Sequence, residues 1–167
     1  MLQELSNWLT ESYLMNVFSD TTRLETWLII PVSQSVHILA VAIVAISVGM
    51  LNLRLVGIAG TRQSFAQLSA QMVPWIWGAL IVLLVTGVVQ TIAEPTRELM
   101  NVTFRIKMIL LLVTVGITAF YRVQVTKNPK FWDQRRDLAW LFATASLVLW
   151  IGIIAAGRLI AYWGAID

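Results

Sequence analysis

Residues 27–53, WLIIPVSQSVHILAVAIVAISVGMLNL, contain no Asp, Glu, Lys or Arg. A stretch of 27 residues is longer than the roughly 20 apolar residues a membrane-spanning helix needs. It shows no period-2 alternation, so a membrane β-strand is excluded. In hydrocarbon the backbone must satisfy its own hydrogen bonds, which leaves a helix. Pro31 sits inside this helix, where it removes one backbone donor and predicts a kink. Thr22-Arg23-Leu24-Glu25 fits a capping box just before it.

Three more apolar runs follow, at about 72–92, 103–123 and 138–163. The composition agrees: 58% of residues are hydrophobic, 13% are charged and the mean hydropathy is +0.76. A soluble domain carries about 25% charged residues, so this chain has more apolar surface than one small core could cover. The sequence therefore predicts an all-α polytopic membrane protein. Residues 1–167 form a single domain, a bundle of four transmembrane helices solvated by the lipid bilayer.

Residues 2–18 stand apart. Leu2, Leu5, Trp8, Leu9, Tyr13, Val17 and Phe18 form a loose stripe against Glu4, Asn7, Glu11 and Ser12. That pattern predicts an amphipathic helix lying in the membrane interface; the alternative is a helix packed on a partner protein. Glu4, Glu11 and Asp20, with no basic n-region, argue against a cleavable signal peptide.

Charge counts set the orientation. The loops after the first and third runs, with the run ends beside them, hold Arg54, Arg62, Arg122, Lys127, Lys130, Arg135 and Arg136. The other side holds Arg23, Arg97, Arg105, Lys107 and Arg158, of which the last three fall at or inside span ends. The positive-inside rule then places both termini on the periplasmic side of a bacterial inner membrane. Trp27 and Trp163 are expected at the outer interface, and Trp75, Trp77, Trp132 and Trp140 at the inner one. Pro74 suits a first helical turn, and Gly57-Ile58-Ala59-Gly60 reads as a helix stop.

Several chemistries are excluded by residue type. The chain has no cysteine and one histidine, which removes thiolate sites, disulfides and multi-His metal centres. The predicted spans contain no interior Asp or Glu, against a carboxylate proton relay. No Walker loop or dinucleotide fingerprint is present. The basic residues lie beside apolar runs, a placement suited to lipid headgroups rather than nucleic acid.

Ionisable groups inside a bilayer are costly and point to function. His37 lies ten residues beyond Trp27, about 15 Å deep. Ser33 and Gln34 precede it by one turn. Thr103, Lys107, Thr114 and Thr118 share one face of the third span, and Arg158 lies near the end of the fourth. On the predicted topology Gln34, Gln90, Lys107 and Arg158 occupy the outer half, with His37 beneath them. The expectation is a periplasm-facing polar pocket built from His37, Gln34, Lys107 and Arg158. Neutral imidazole at its floor suits a metal, a haem iron or a quinone, and the cations above suit propionates or another anionic head. The alternatives stay open: His37 as a structural hydrogen-bonder, and Lys107 and Arg158 as side chains snorkelling to headgroups. Copper handling has thinner support, since Met1, Met15 and Met100 are scattered. Ala45-x-x-x-Gly49 and Gly152-x-x-x-Ala156 allow close helix packing, which suits a homo-oligomer or a non-catalytic subunit anchoring a larger complex.

Three stretches carry a family resemblance. Residues 37–57, HILAVAIVAISVGMLNLRLVG, resemble the first-span signature of a bacterial four-helix inner-membrane family of unknown function, with Asn52 where an acid is usual. Residues 86–111, TGVVQTIAEPTRELMNVTFRIKMILL, and 157–162, GRLIAY, resemble its later segments. That family is distantly similar to CopD-like copper-resistance proteins and to the HemJ-type protoporphyrinogen oxidase. The latter resemblance implies a haem b site using His37 and Lys107. Residues 116–121, GITAFY, stand where a second histidine is expected.

Overall fold

The computed structural model describes residues 2–12 and 24–163. The later part of the N-terminal stripe (Tyr13, Val17, Phe18), Asp20, Thr22, Arg23 and the four residues after Trp163 lie outside that range. So do the side chains of Glu25, Trp27, Tyr162 and Trp163. The proposed capping box and outer tryptophan belt therefore fall outside the described residues.

The described elements are helices: α1 (Leu2–Thr10), α2 (Leu24–Val56), α3 (Phe65–Ala93), α4 (Pro95–Leu99), α5 (Val102–Lys127), α6 (Phe131–Gln134) and α7 (Arg136–Trp163). Four of them, α2, α3, α5 and α7, are long and apolar enough to cross a membrane. Only 17–33% of each apolar window is buried inside the bundle. The rest, including Ile38, Leu39, Ile46, Leu84, Leu112 and Ile151, faces outward. Such a surface needs lipid as solvent.

Helix ends follow local chemistry. The Ser64 hydroxyl accepts from the Gln67 N–H and the Gln67 side chain accepts from the Ser64 N–H, a capping box that starts α3 at Phe65. This start is seven residues earlier than the hydropathy suggests, and it corrects the reading of Pro74, which lies inside α3. The helix stop at 57–60 holds. Gly57 takes φ +84°, its N–H donates to the Arg54 carbonyl, and the Ile58 N–H donates to the Leu53 carbonyl. That is a Schellman ending, which needs a residue free to adopt positive φ. Pro31 sits within α2 as expected.

The helices pack as two hairpins, α2 with α3 and α5 with α7, joined by α2 against α7. Contact between α3 and α5 is sparse. Each span buries a seam at coiled-coil spacing. On α2 it runs Ser33, Ala40, Val44, Ser47, Val48, Leu51, Asn52 and Leu55; on α7 it runs Ala139, Ala143, Ser146, Trp150, Ile153, Ala156 and Ile160. The alanines and serines let the backbones approach. Gly152 contributes likewise, since a Cβ there would sit 3.4 Å from Leu110 Cδ1.

The two ends of the bundle differ. At the end holding α6, Trp132 is the hub of an aromatic cluster, with its ring 5.1 Å from Tyr121, 5.7 Å from Phe142 and 5.9 Å from Phe65. Trp132 is only 2% exposed, which corrects its expected place in an interfacial belt; Trp75 and Trp140 do lie at the surface. At the other end α1 packs on α4. Ser6 is buried there while Leu5 and Trp8 stay exposed.

Candidate functional site

The site begins with the seam of α2. Spacing of four residues puts Ser33 and His37 one above the other on the inward face. Across the interface, α3 presents Thr86 and Gln90 with the same spacing. The His37 Nδ1 lies 2.7 Å from Thr86 Oγ1, and the Ser33 hydroxyl donates to the Thr86 carbonyl at 3.4 Å.

The hydroxyl of Thr86 has one proton, and it points to the Val82 carbonyl at 2.7 Å. With the proton placed there, the same oxygen accepts from His37 Nδ1–H, the tautomer that leaves the neutral ring's lone pair on Nε2. A partner that fixes one ring nitrogen and leaves the other as a base is the arrangement seen behind histidine ligands.

On α5 the predicted polar face is the inward one: Thr103, Thr114 and Thr118 are buried and Lys107 is half-buried. Thr114 and Thr118 donate to the carbonyls of Leu110 and Thr114 on their own helix, so they contribute no cross-helix bond. Lys107 reaches α7, where a Cβ at Gly157 would lie 3.8 Å from both its Cε and its Nζ. It is also within electrostatic reach of His37 and of Glu98 on α4. The glycine leaves the ammonium a shallow recess. Gly87 does the same for the imidazole, since its Cβ would sit 3.9 Å from His37 Cε1. Beside them the Gln90 Nε2 is buried with no hydrogen-bond partner among the described residues.

His37 and Lys107 are thus brought together in the half of the bundle nearer α4. Gln34 and Arg158 are not part of that cluster's buried face; both are exposed. Sequence reasoning missed Thr86, which fixes the imidazole, and Glu98. A threonine in an apolar run resembles one bonded to its own helix, so its second role had no separate signal. Its four-residue spacing from Gln90 was the only hint.

The donor set also limits the chemistry. Among the described residues no group of three His, Cys, Asp or Glu side chains comes together. A bare metal ion needs three or four protein donors. The cluster offers one imidazole base, His37 Nε2, and one ammonium, Lys107.

No curated protein and no solved structure matches this chain. A family match covers residues 8–163, nearly the whole length, including both hairpins and every residue of the cluster. The chain belongs to DUF6644, a family of unknown function.

Proposed function

We propose that this membrane protein binds haem b, or a quinone-type ligand, in the half of the bundle containing His37 and Lys107, and serves a redox-linked role in a bacterial inner membrane. The single observation behind the reading is the His37–Thr86 hydrogen bond, which aims a histidine base within the bilayer beside a cation. A bound haem would supply one-electron chemistry. His37 Nε2 would be its axial base, or would accept a hydrogen bond from a quinol hydroxyl. Lys107 would pair with a propionate or another anionic group. The resemblance to CopD-like and HemJ-type proteins read in the sequence would place a haem on the same His37 and Lys107. The loop charge bias supports periplasmic termini, with the cluster in the outer half.

The test is spectroscopic. Protein solubilised gently from haem-replete cells is expected to show a Soret band that His37→Ala abolishes. A colourless wild type whose lipid extract also lacks quinone would overturn both versions.

One observation favours a second reading, a non-catalytic subunit that scaffolds a partner complex or homo-oligomer. A Cβ at Gly49 would meet no atom within 4 Å, so the α2 surface at Gly49 is not filled by this chain. That reading expects a stable assembly at low detergent and no effect of His37→Ala on it; a monomeric particle would exclude it.

A further inference from the structure

The sparse contact between α3 and α5 leaves a groove at the α6 end, far from His37. It encloses about 420 Å³, within the roughly 300–1,000 Å³ usual for small-ligand sites. Ser69, Ala70, Pro74 and Trp77 line it from α3, and Arg122 and Thr126 from α5. Ser69 to Trp77 spans eight residues, about 12 Å along the helix. That length joins the polar turn before the apolar run to its first turns in hydrocarbon.

The polar groups of this groove are unsatisfied in a consistent sense. The Trp77 Nε1 is buried and donates to nothing among the described residues. The Arg122 guanidinium is exposed, and neither it nor the Ser69 hydroxyl has a hydrogen-bond or ion-pair partner among the described residues. The Thr126 hydroxyl is occupied by the Arg122 carbonyl at 2.9 Å. Three unused donors, one of them cationic, thus share one recess, while the acidic residues of this end lie elsewhere: Asp133 is paired with Arg54 and Asp137 is on α7. Buried donors without acceptors are costly, and a desolvated N–H and a guanidinium lining one recess suit a phosphate.

We infer that the α3–α5 groove is a binding site for an anionic phospholipid. The phosphate rests on Arg122, Trp77 Nε1–H and the Ser69 hydroxyl donate to it, and the acyl chains continue over the outward apolar faces of the two helices. The groove opens sideways between two spans, so the lipid that must surround the protein reaches it without crossing water. Basic recesses between transmembrane helices are known to take anionic headgroups. This site is independent of the His37 cluster.

The test is lipid retention by native mass spectrometry of full-length protein, released from nanodiscs of equal phosphatidylglycerol and phosphatidylcholine. Wild type is expected to keep phosphatidylglycerol in preference to phosphatidylcholine. Arg122→Gln should lower that retention about fivefold, the effect of one basic residue at a lipid surface. Ala70→Leu, at an exposed position on the groove wall, should lower it without changing charge. Arg62→Gln, an exposed arginine of the same end outside the groove, should leave it unchanged. Circular dichroism reports whether each variant is folded. Wild-type retention in both Arg122→Gln and Ala70→Leu would overturn the site, and so would an equal loss in Arg62→Gln. Release of the bound phosphatidylglycerol by millimolar inorganic phosphate would overturn the lipid assignment in favour of a free anion.

Discussion

The two halves of the bundle solve the same packing problem with opposite materials. Around α6, rings do the work. Phe65, Phe120, Tyr121, Phe131 and Phe142 all lie within 6.4 Å of a neighbouring ring in the cluster centred on Trp132. Arg54 closes that end: it donates to Asp133 at 2.7 Å and, through Nε, to the Gln63 carbonyl at 2.7 Å. One side chain thereby ties the α2–α3 loop to α6. In the half near α4, small side chains and glycines line the seam, and the polar groups include a histidine, a lysine and a buried glutamine amide without a partner. The aromatic end is filled at its centre by rings, while the α3–α5 groove beside them keeps unused donors. The end near α4 is instead built from small residues around a partly buried polar cluster.

The largest expected effect tests the aromatic end. Trp132→Ala removes the hub and should destabilise the protein by about 3–5 kcal/mol, the usual range for a buried Trp-to-Ala change. Thermal unfolding in detergent, followed by circular dichroism, measures it. The His37-dependent absorbance of the folded variant should be unchanged; loss of that signal in a folded Trp132→Ala protein would dissolve the division between the halves.

Next comes the hydrogen bond behind His37. Thr86→Val keeps the side-chain shape but removes the acceptor for Nδ1–H. Loss of such an orienting partner weakens a histidine ligand roughly 10- to 100-fold. A titration of haem or quinol analogue into wild type and variant reads this directly, and the thermal midpoint should move little. Equal affinity in the two proteins would make Thr86 a packing residue only.

The smallest effect belongs to the ion pair. Arg54→Gln and Asp133→Asn should each cost under about 1 kcal/mol, because the pair is partly solvent-exposed and screened by salt. Arg54→Gln should cost slightly more, since it also frees the Gln63 carbonyl. Unfolding of the single and double variants at low and high salt gives the coupling. A salt-independent coupling of several kcal/mol would mean that this end depends on charge more than on its rings.

Asn52 shows how much sequence can mislead within a correct fold. In the linear chain it is a polar residue near a loop. In the bundle it is fully buried, its amide nitrogen donates to the Ser146 hydroxyl at 3.1 Å, and its carbonyl oxygen has no partner among the described residues. The Tyr121 hydroxyl approaches the same serine without forming a well-shaped bond. None of this is written in hydropathy, because Asn52, Ser146 and Tyr121 lie on three different helices.

The sequence by itself determined that the chain is four apolar helices, that Gly57 ends the first of them and that Thr103, Lys107, Thr114 and Thr118 share a face. Those properties follow from chain length against bilayer thickness, backbone hydrogen bonding in oil and the helical repeat, all of which act locally. Only the tertiary structure decided that Thr86 bonds the His37 ring, that Lys107 rests against Gly157, that Gln34 and Arg158 are exposed and that Trp132 is a core residue. Each of these depends on how one helix is rotated against another. Between lipid-solvated helices that rotation is fixed by side-chain packing and hydrogen bonds across long sequence separations, not by the apolarity that every span shares.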